Sequence, residues 1–371
     1  MKKFQQILTL ALSLGFLAVF SAWFLIAPDA EESTVERRRL AKRPALSFSS
    51  VTNGSFMNGF EKYMLDQFPL RNGFRGLKAT VSAKVFMKKD NNGLYPVGEH
   101  LSKLDFPTDS ESVDHAARRF RYVYDTYLRN AGTKTYLSVI PDKNTFIASQ
   151  NGYPDKDYKA LTERLRSGFP EAKYIDISGL LSADDFYYTD SHWRQERITK
   201  VADEIAAQMG AERIGTCEIQ DTGRPFYGVY YGQAALPHAP ERLFYLDNAV
   251  IRGLQVYNVE TQSDIPVYDL GAAAGRDPYE MFLGGARSII RITNPNAAQE
   301  RRLIVFRDSF GSSIAPLLAA GYSEITLVDI RYISPLSLGK LIDFTKADDA
   351  LFLYSASVIN NSETIKGTSK N

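Results

Sequence analysis

The sequence has 371 residues, a formal net charge of +1 and 44% hydrophobic residues. This length can hold one large domain or two modest ones, and the balanced charge, with no strongly basic run outside residues 37–43, argues against nucleic-acid binding as the main activity. The single cysteine, Cys217, excludes an intramolecular disulfide framework and a cysteine-rich metal site.

The N-terminus carries the strongest local signal in the chain. Two lysines precede an apolar run over residues 7–27, which is long enough to span a bilayer as a helix, and an acidic patch follows at residues 29–32. The positive-inside rule therefore places the chain after this run outside the cytoplasm. Because the run lacks a clean small-x-small cleavage site, we expect residues 1–28 to be a cytoplasmic tip and an uncleaved, single-pass anchor in the cell membrane.

Residues 29–90 are expected to form a linker and an N-terminal helical arm. The first part, to about residue 50, is polar and suits a linker that lifts a domain off the membrane. Apolar residues then recur at helical spacing over 56–64 and 74–85, on either side of Pro69, which predicts two amphipathic helices separated at this proline.

From residue 91 to residue 371 we expect one domain of α/β class. Short apolar strands alternate with helices, a pattern typical of a parallel sheet covered on both faces. The predicted strands cover residues 136–140, 174–177, 303–306, 325–330 and 351–354. The predicted helices cover residues 113–128, 158–165, 195–209, 314–320 and 335–344.

Residues 213–294 have a different composition from the rest of this domain. Tyrosine, glycine and proline are frequent, and the alternating segments 256–259 and 289–292 predict antiparallel β structure. We interpret this stretch as a β-rich insertion, whose tyrosines either shape a substrate groove or simply form core.

Ser309 lies where a buried strand breaks sharply into a helix. At such a corner, free backbone N–H groups and the positive end of the helix dipole can stabilise an oxyanion, as a nucleophilic serine requires. The alternative is that Asp308, Ser309 or Ser312 only caps the helix.

Asp190 and His192 are the partners that a nucleophilic serine would need. In an extended segment, residues two apart share one side of the backbone, so the aspartate can orient the imidazole and leave its other nitrogen free as a base. A metal site built from Asp184, Asp185, Asp190 and His192 is a weaker hypothesis, because no second histidine lies at ligand spacing and a solvated acidic loop explains the aspartates. No metal or other cofactor is expected.

The residues around these positions resemble a known family. The segment 188–193, Tyr-Thr-Asp-Ser-His-Trp, is similar to the Thr-Asp-x-His-Trp signature of the DHHW family, SGNH-hydrolase-like proteins related to the alginate O-acetylation proteins. The segment 307–311 resembles the Asp-Ser-Phe block of the same family. Further similar segments extend the resemblance over nearly the whole chain after the anchor: 66–71, 282–285, 328–332 and 352–355.

The resemblance implies a flavodoxin-like, three-layer SGNH fold with permuted motif order, in which the Asp-x-His block precedes the serine. It implies that Ser309 is the nucleophile, His192 the base and Asp190 the orienting residue. This chain has Ser191 where the family name reflects a histidine. We interpret that position as dispensable, because Asp190 and His192 keep their spacing.

The oxyanion site is less defined by the sequence. The Ser309 backbone N–H is the natural first donor. Candidates for a second donor are Gly284, Gly285, Asn360 and Asn361. Arg331 either holds an acyl donor or sugar hydroxyl or forms a structural ion pair.

The resemblance also implies a function. It predicts a membrane-anchored O-acetyltransferase that modifies hydroxyls of a cell-envelope or secreted polysaccharide through an acyl-enzyme, with a membrane-bound O-acyltransferase partner delivering the acetyl group. Two alternatives remain open: an acetylesterase with the same triad, and a catalytically silent polysaccharide-binding or scaffold subunit.

Overall fold

The computed structural model describes residues 2–366, which divide into two compact units. The first unit contains the residues up to Asn92 together with Tyr231–Pro237. The second unit contains Gly93–Tyr230 and the residues from His238 onward. Ser309, His192 and Asp190 all belong to the second unit.

The first unit begins with a long apolar helix, α1 (Lys2–Ile26). Within residues 2–366 it alone is long and apolar enough to cross a membrane, a property that membrane anchors share with signal sequences. Two short paired strands and three helices follow: β1 (Glu32–Ser33), β2 (Arg38–Arg39), α2 (Phe48–Thr52), α3 (Ser55–Gln67) and α4 (Arg71–Lys84). Helices α3 and α4 confirm the two helices predicted on either side of Pro69.

The described residues of the second unit, which end at residue 366, contain twelve strands. They are β3 (Leu94–Val97), β4 (His100–Lys103), β5 (Lys134–Ile140), β6 (Lys173–Tyr174), β7 (Glu218–Phe226), β8 (Glu241–Asp247), β9 (Gln255–Asn258), β10 (Ser263–Ile265), β11 (Ile289–Thr293), β12 (Arg302–Arg307), β13 (Glu324–Val328) and β14 (Asp349–Ser355). Eight of them form one sheet in the order β10-β9-β11-β13-β12-β14-β5-β6. The strands from β13 to β6 run parallel, whereas β9, β10 and β11 pair antiparallel at one side.

This topology changes the interpretation of residues 213–294. Strands β9 and β11 confirm the antiparallel segments predicted at 256–259 and 289–292. However, they extend the main sheet through the pairing of β11 with β13. Only β7 and β8 form a separate two-stranded sheet within this stretch. The predicted insertion is therefore in part an edge of the α/β core.

Among residues 2–366, eight α-helices follow α4; seven lie in the second unit, and the helix over Val229–Ala234 has its residues from Tyr231 onward in the first unit. They are α5 (Ser110–Val123), α6 (Lys143–Ile147), α7 (Tyr158–Gly168), α8 (Thr199–Met209), α9 (Val229–Ala234), α10 (Ala249–Gly253), α11 (Gly311–Ile314) and α12 (Ala356–Asn360).

The central strands are buried on both faces, which accounts for their continuous apolar sequences. In β12, Leu303 and Val305 belong to a core cluster that includes residues of α8. The alternate residues Ile304 and Phe306 belong to a second cluster that includes residues of α5 and α7. Successive side chains of a strand point to opposite faces, so helices cover the sheet on both sides. The predicted three-layer α/β architecture is confirmed.

Some predicted elements have a different form in the structure. The helix predicted at 314–320 is a single turn of α-helix, α11, followed by a 3₁₀-helix over Ala315–Gly321. Pro316 removes a backbone donor and disfavours a regular α-helix there. The helix predicted at 335–344 is a 3₁₀-helix over Pro335–Lys340.

Candidate active site

Ser309 lies two residues after the end of β12, a central strand of the sheet. Its neighbour Asp308 fixes this corner, because Asp308 Oδ1 accepts from the Phe310 N–H at 3.1 Å and Oδ2 accepts from the Ser355 N–H at 2.8 Å. Ser355 is the last residue of the adjacent parallel strand β14. Asp308 therefore ties the serine turn to the carboxyl edge of the sheet, where α/β folds place their sites.

The Ser309 hydroxyl does not cap the following helix. The N-cap of α11 is Phe310, with no side-chain cap hydrogen bond. Instead, Ser309 Oγ lies 2.7 Å from His192 Nε2. The Ser309 carbonyl accepts from the Ser312 N–H, and within residues 2–366 no acceptor receives the Ser309 N–H, which leaves that donor available. Since α11 has only four residues, its dipole contributes less at this corner than the predicted longer helix would.

His192 is held by Asp190 through its other ring nitrogen. His192 Nδ1 lies 2.6 Å from Asp190 Oδ1, which also accepts from the His192 backbone N–H at 3.1 Å. Asp190 Oδ2 accepts from the Val229 N–H at 2.8 Å, and the aspartate is fully buried. A carboxylate in this position keeps the proton on Nδ1 and leaves Nε2 as the acceptor facing Ser309.

The local backbone differs from the extended segment predicted around Asp190. Residues 189–192 form a turn and bends, in a loop closed by an antiparallel bridge between Phe186 and Trp193. The two side chains meet because Asp190 folds over the peptide of His192, in the manner of an aspartate-stabilised turn. The predicted proximity is correct, and its predicted cause is wrong.

Lys143 and Glu241 both bind the backbone of this loop, Lys143 as a hydrogen-bond donor and Glu241 as an acceptor. Lys143 Nζ donates to the backbone carbonyls of Tyr187, Tyr188 and Asp190 at 2.7, 2.9 and 2.9 Å. The Glu241 carboxylate accepts from the backbone N–H groups of residues 188 and 189 at 2.6 and 2.9 Å. Burial lowers the pKa of Lys143 to about 7, although the carboxylates of Glu241 and Asp190 oppose this shift. Both side chains thus satisfy peptide groups that hold Asp190 in place.

Gly228 allows a second chain segment to approach the same loop. Its N–H donates to Thr189 Oγ1 at 2.8 Å. A Cβ atom at this position would lie 2.2 Å from the carbonyl oxygen of Thr189 and 2.4 Å from Asp190 Cβ. Any larger residue at position 228 would collide with the loop, so only glycine allows the two segments to come this close. The close contact brings the Val229 N–H within hydrogen-bonding distance of Asp190.

Trp193 connects the His192 loop to the helix that follows Ser309. Its Nε1 donates to Ser313 Oγ at 2.8 Å, and Tyr279 Oη donates to the same oxygen at 2.8 Å. The Tyr279 ring stacks on the His192 imidazole, with ring centroids 3.9 Å apart and planes 12° apart. Burial raises the pKa of the Tyr279 phenol, so it remains a donor. Ser313 is therefore a common acceptor for two residues that position His192.

Several candidates for the oxyanion site are engaged elsewhere. The Gly285 N–H donates to the Phe282 carbonyl. For Gly284 the engaged group is the carbonyl, which accepts from Arg287 Nε, so this contact does not occupy its N–H. Asn360 Nδ2 donates to Asp105 and Pro107, and its Oδ1 accepts from the Asp109 N–H. Asn361 Nδ2 donates to the Ser357 carbonyl.

Arg331 forms the structural ion pair that was one of its two predicted roles. Its Nε and Nη2 lie 2.9 and 2.7 Å from the two carboxylate oxygens of the fully buried Asp329. A guanidinium bound in this bidentate way is held by the protein itself.

The acidic residues of the alternative metal site also have other partners. Asp184 lies 3.2 Å from His100 Nε2, and Asp185 lies 2.9 Å from Lys200 Nζ. Ser191 is not part of the hydrogen-bonded row formed by Ser309, His192 and Asp190; its Oγ lies 3.4 Å from Asp190 Oδ1. Within residues 2–366, no group of three or more metal-binding side chains comes together.

Four residues of this site are not predicted from the sequence: Lys143, Gly228, Glu241 and Tyr279. Lys143 follows strand β5 closely, so its place at the carboxyl edge could have indicated it. The other three lie far along the chain from residue 190, and no local pattern marks them.

No protein-family model matches the chain, and no curated protein matches it in sequence. Among solved structures, the chain is similar to a DHHW family protein from Eubacterium siraeum, with a TM-score of 0.58 and 18% identity, over 74% of this chain and 95% of that one. It is similar to Bacillus cereus PatB1 with a sulfonyl adduct, with a TM-score of 0.58 and 18% identity, over 72% of this chain and 95% of that one. A weaker similarity, with a TM-score of 0.45 and 14% identity, links 72% of the chain to 92% of the O-acetyltransferase domain of Pseudomonas putida AlgJ. The chain therefore shares its fold with a DHHW family protein and with PatB1, and its predicted relation to that family is confirmed at the level of the fold.

Proposed function

We propose that the protein is an extracytoplasmic O-acetyltransferase, anchored by α1, that transfers an acetyl group to a hydroxyl of a cell-envelope or secreted polysaccharide. The observation that carries this proposal is the continuous row of hydrogen-bonding atoms from Ser309 Oγ through His192 to the buried carboxylate of Asp190. Such a row is the arrangement that activates a serine for acyl transfer.

In the first half of the reaction, Ser309 Oγ attacks the carbonyl carbon of the acyl donor while His192 Nε2 takes the hydroxyl proton. Asp190 stabilises the imidazolium that forms, and the Ser309 N–H is placed to donate to the developing oxyanion. His192 then returns the proton to the leaving group as the carbon–oxygen or carbon–sulfur bond of the donor breaks. The product is an acetyl ester on Ser309.

In the second half, a sugar hydroxyl gives its proton to His192 and attacks the acetyl ester. The bond to Ser309 Oγ breaks, and His192 returns the proton to that oxygen. The membrane location and a membrane-bound O-acyltransferase as acetyl supplier are part of the proposal. They are supported by the apolar helix α1 and by the resemblance of the two motifs to the DHHW family.

The first experiment measures hydrolysis of 4-nitrophenyl acetate by the full-length protein in detergent. We expect Ser309→Ala to lower kcat/KM by at least about a thousandfold, because it removes the nucleophile. Ser312→Ala is the matched control, since Ser312 lies three residues away and its buried Oγ has no hydrogen-bond partner in the described chain. Equal rates for wild type and Ser309→Ala would reject the catalytic proposal in favour of a scaffold.

A second experiment traps the nucleophile directly. An aryl sulfonyl fluoride should form a sulfonate ester on a serine that a histidine activates. We expect mass spectrometry to find the adduct on the peptide that contains Ser309, and to find none in His192→Ala. An adduct on another serine, with Ser309 unmodified, would contradict the assignment.

A third experiment separates transferase from esterase, which use the same triad. The protein is given an activated acetyl ester together with candidate oligosaccharides, and the products are analysed by mass spectrometry. We expect O-acetylated oligosaccharide to form. Free acetate as the sole product with every acceptor would identify an acetylesterase, because water would then be the acceptor.

A further inference from the structure

The helical arm of the first unit presents apolar side chains to its surroundings. On α4, Phe74, Leu77 and Val81 recur at helical spacing on one face, and Leu77 is 60% exposed. On α3, Met57 and Leu65 are 62% and 64% exposed. We call the exposed residues Met57, Met64, Leu65, Leu70, Phe74 and Leu77 the arm patch. A group of large apolar side chains that is exposed in this way is typical of a surface that contacts another protein or a membrane.

The arm patch adjoins the apolar helix α1. The Phe20 ring of α1 stacks on Phe68, with centroids 5.5 Å apart, and meets Phe74 edge to face at 5.6 Å. Four residues later, Phe24 contacts Tyr63 at 5.4 Å. Phe68 and Phe74 flank the link between α3 and α4, so this link and the outer part of α1 form one aromatic cluster.

The position of Phe20 fixes the depth of the arm relative to α1. Phe20 precedes the end of α1 at Ile26 by six residues, which at about 1.5 Å per residue places it ~9 Å below that end. The whole helix of 25 residues is about 37 Å long at the same rise, against a hydrocarbon core of about 30 Å. With α1 across a bilayer, the arm therefore reaches the boundary between headgroups and acyl chains.

The charges of the arm suit this boundary. On α4, Arg71 and Arg75 are paired with Glu36 at 2.5 and 3.1 Å. The exposed Lys78 borders the apolar face, and the exposed Lys84 ends the helix seven residues after Leu77, on the same side as that leucine. A basic helix with one apolar face is the type that lies in the plane of a membrane and attracts anionic headgroups.

We propose that the arm patch is inserted into the outer boundary of the same bilayer that α1 spans, so that lipid, and not protein, covers it. The proposal rests on the membrane-spanning role of α1 in the proposed function. It adds a second membrane contact and assigns it to α3, α4 and the link between them.

The test measures the surroundings of single side chains in the full-length protein. Cys217, the one native cysteine, is replaced by serine, and a spin label is attached at Leu77→Cys, Asn72→Cys or Phe16→Cys. Each labelled protein is reconstituted into vesicles of phosphatidylcholine and phosphatidylglycerol. The collision of the label with oxygen, which concentrates in lipid, is compared with its collision with a water-soluble nickel chelate. Asn72 is the matched control, because it is exposed on α4 away from the apolar face, and Phe16 reports on α1 itself.

We expect the labels at 77 and 16 to collide mainly with oxygen and the label at 72 mainly with the chelate. A lipid environment at 16 with a water environment at 77 would overturn the proposal for the arm while leaving the anchor intact. Low collision with both reagents at 77 would also overturn it, because protein would then cover the patch. A water environment at 16 would reject the spanning role of α1 and the arm proposal together, without bearing on the Ser309 chemistry.

Discussion

At the scale of single residues, the candidate site depends on side chains that never touch a reacting atom. Asp190 is fixed at both carboxylate oxygens, through the His192 ring on one and the Val229 N–H on the other. The peptides around it are fixed by Lys143 and Glu241. Small displacements of such a row have large effects, since a misplacement of about 1 Å can cost about a hundredfold in rate.

The close approach of Gly228 to the Asp190 loop can be tested by substitution. In Gly228→Ala the new methyl group would meet the Thr189 carbonyl at 2.2 Å, so the loop must move and carry Asp190 with it. We expect kcat for 4-nitrophenyl acetate to fall by about a hundredfold and the Tm to fall as well, because overpacking costs about 1–3 kcal/mol.

Gly179→Ala is the control for this substitution. Gly179 is exposed in the same unit, and a Cβ there would meet nothing within 4 Å. Its kinetics and Tm should match those of the wild type. Unchanged activity in Gly228→Ala would show that the approach of residue 228 does not set the position of Asp190.

The buried amine of Lys143 should make the stability of the protein depend on pH. Burial lowers the pKa of Lys143 to about 7, while a lysine in the unfolded chain keeps its proton to about pH 10.4. Between these values the unfolded state binds more protons than the folded state, so the contribution of this group to stability rises with pH. Below about pH 7 both states are protonated and the contribution no longer changes.

Thermal unfolding of wild type and Lys143→Met across this window tests the prediction. Lys143→Met leaves three carbonyls without their donor and should have the lower Tm throughout. The difference in Tm between wild type and variant should grow from about pH 7 to about pH 9. A difference that stayed constant or shrank over this range would show that the lysine keeps its proton when buried.

At the scale of elements, the site is a joint between the loop 184–193 and the turn after β12. Trp193 and Tyr279 both donate to Ser313 Oγ, and Gln195 Nε2 donates to the Ser313 carbonyl at 2.7 Å. One residue of α11 therefore aligns the element that carries the histidine with the element that carries the serine. This gives the tryptophan of the Thr-Asp-x-His-Trp segment a physical role in the joint.

Ser313→Ala tests this joint. The change leaves two buried donors without an acceptor, and each unsatisfied group costs about 1–3 kcal/mol. We expect a lower Tm. We also expect a lower kcat, because the Tyr279 ring would no longer be held in its stacked position on the His192 ring. Ser312→Ala changes the adjacent side chain, whose Oγ has no partner in the described chain, and should leave both quantities near wild type. A Ser313→Ala variant with reduced Tm and full kcat would mean that the joint stabilises the fold without aligning the histidine.

At the scale of the whole molecule, the parts that the sequence predicted are those with a local physical signature. Strand β12 and its neighbours are buried on both faces, so their apolar runs stand out. Ser309 is predicted as a site residue because it follows such a strand, and Asp190 with His192 because of their spacing; the structure brings these three side chains together. The 3₁₀ form of Ala315–Gly321 differs from the prediction because the apolar pattern of this segment fits an α-helix, whereas Pro316 disfavours a regular one.

The remaining features depend on contacts between distant parts of the chain. The sequence separates Gly228 from Thr189 by 39 residues and Tyr279 from Ser313 by 34 residues. Neither separation leaves a periodic pattern, and a glycine required by a close approach looks like any other glycine until the fold brings its neighbour near. The edge strands β9–β11 resemble an insertion in the sequence for the same reason, because the residues of a strand do not reveal which strands it pairs with.

The two ends of the central strands should have separate roles, the amino end in stability and the carboxyl end in catalysis. At the amino end of the central strands, the buried Asp349 accepts from Tyr322 Oη at 2.9 Å and pairs with Arg301 at 2.6 Å. Ser309 lies beyond the opposite, carboxyl end of β12. We expect Tyr322→Phe to remove one bond to a charged group, worth about 1.5–3 kcal/mol, and to lower the Tm by several degrees. Because the carboxyl edge is untouched, kcat and KM for 4-nitrophenyl acetate should match the wild type well below the melting temperature. Reduced kcat in a variant whose Tm is unchanged would show that the two ends of the sheet are coupled, and that the site is not set by its own loops alone.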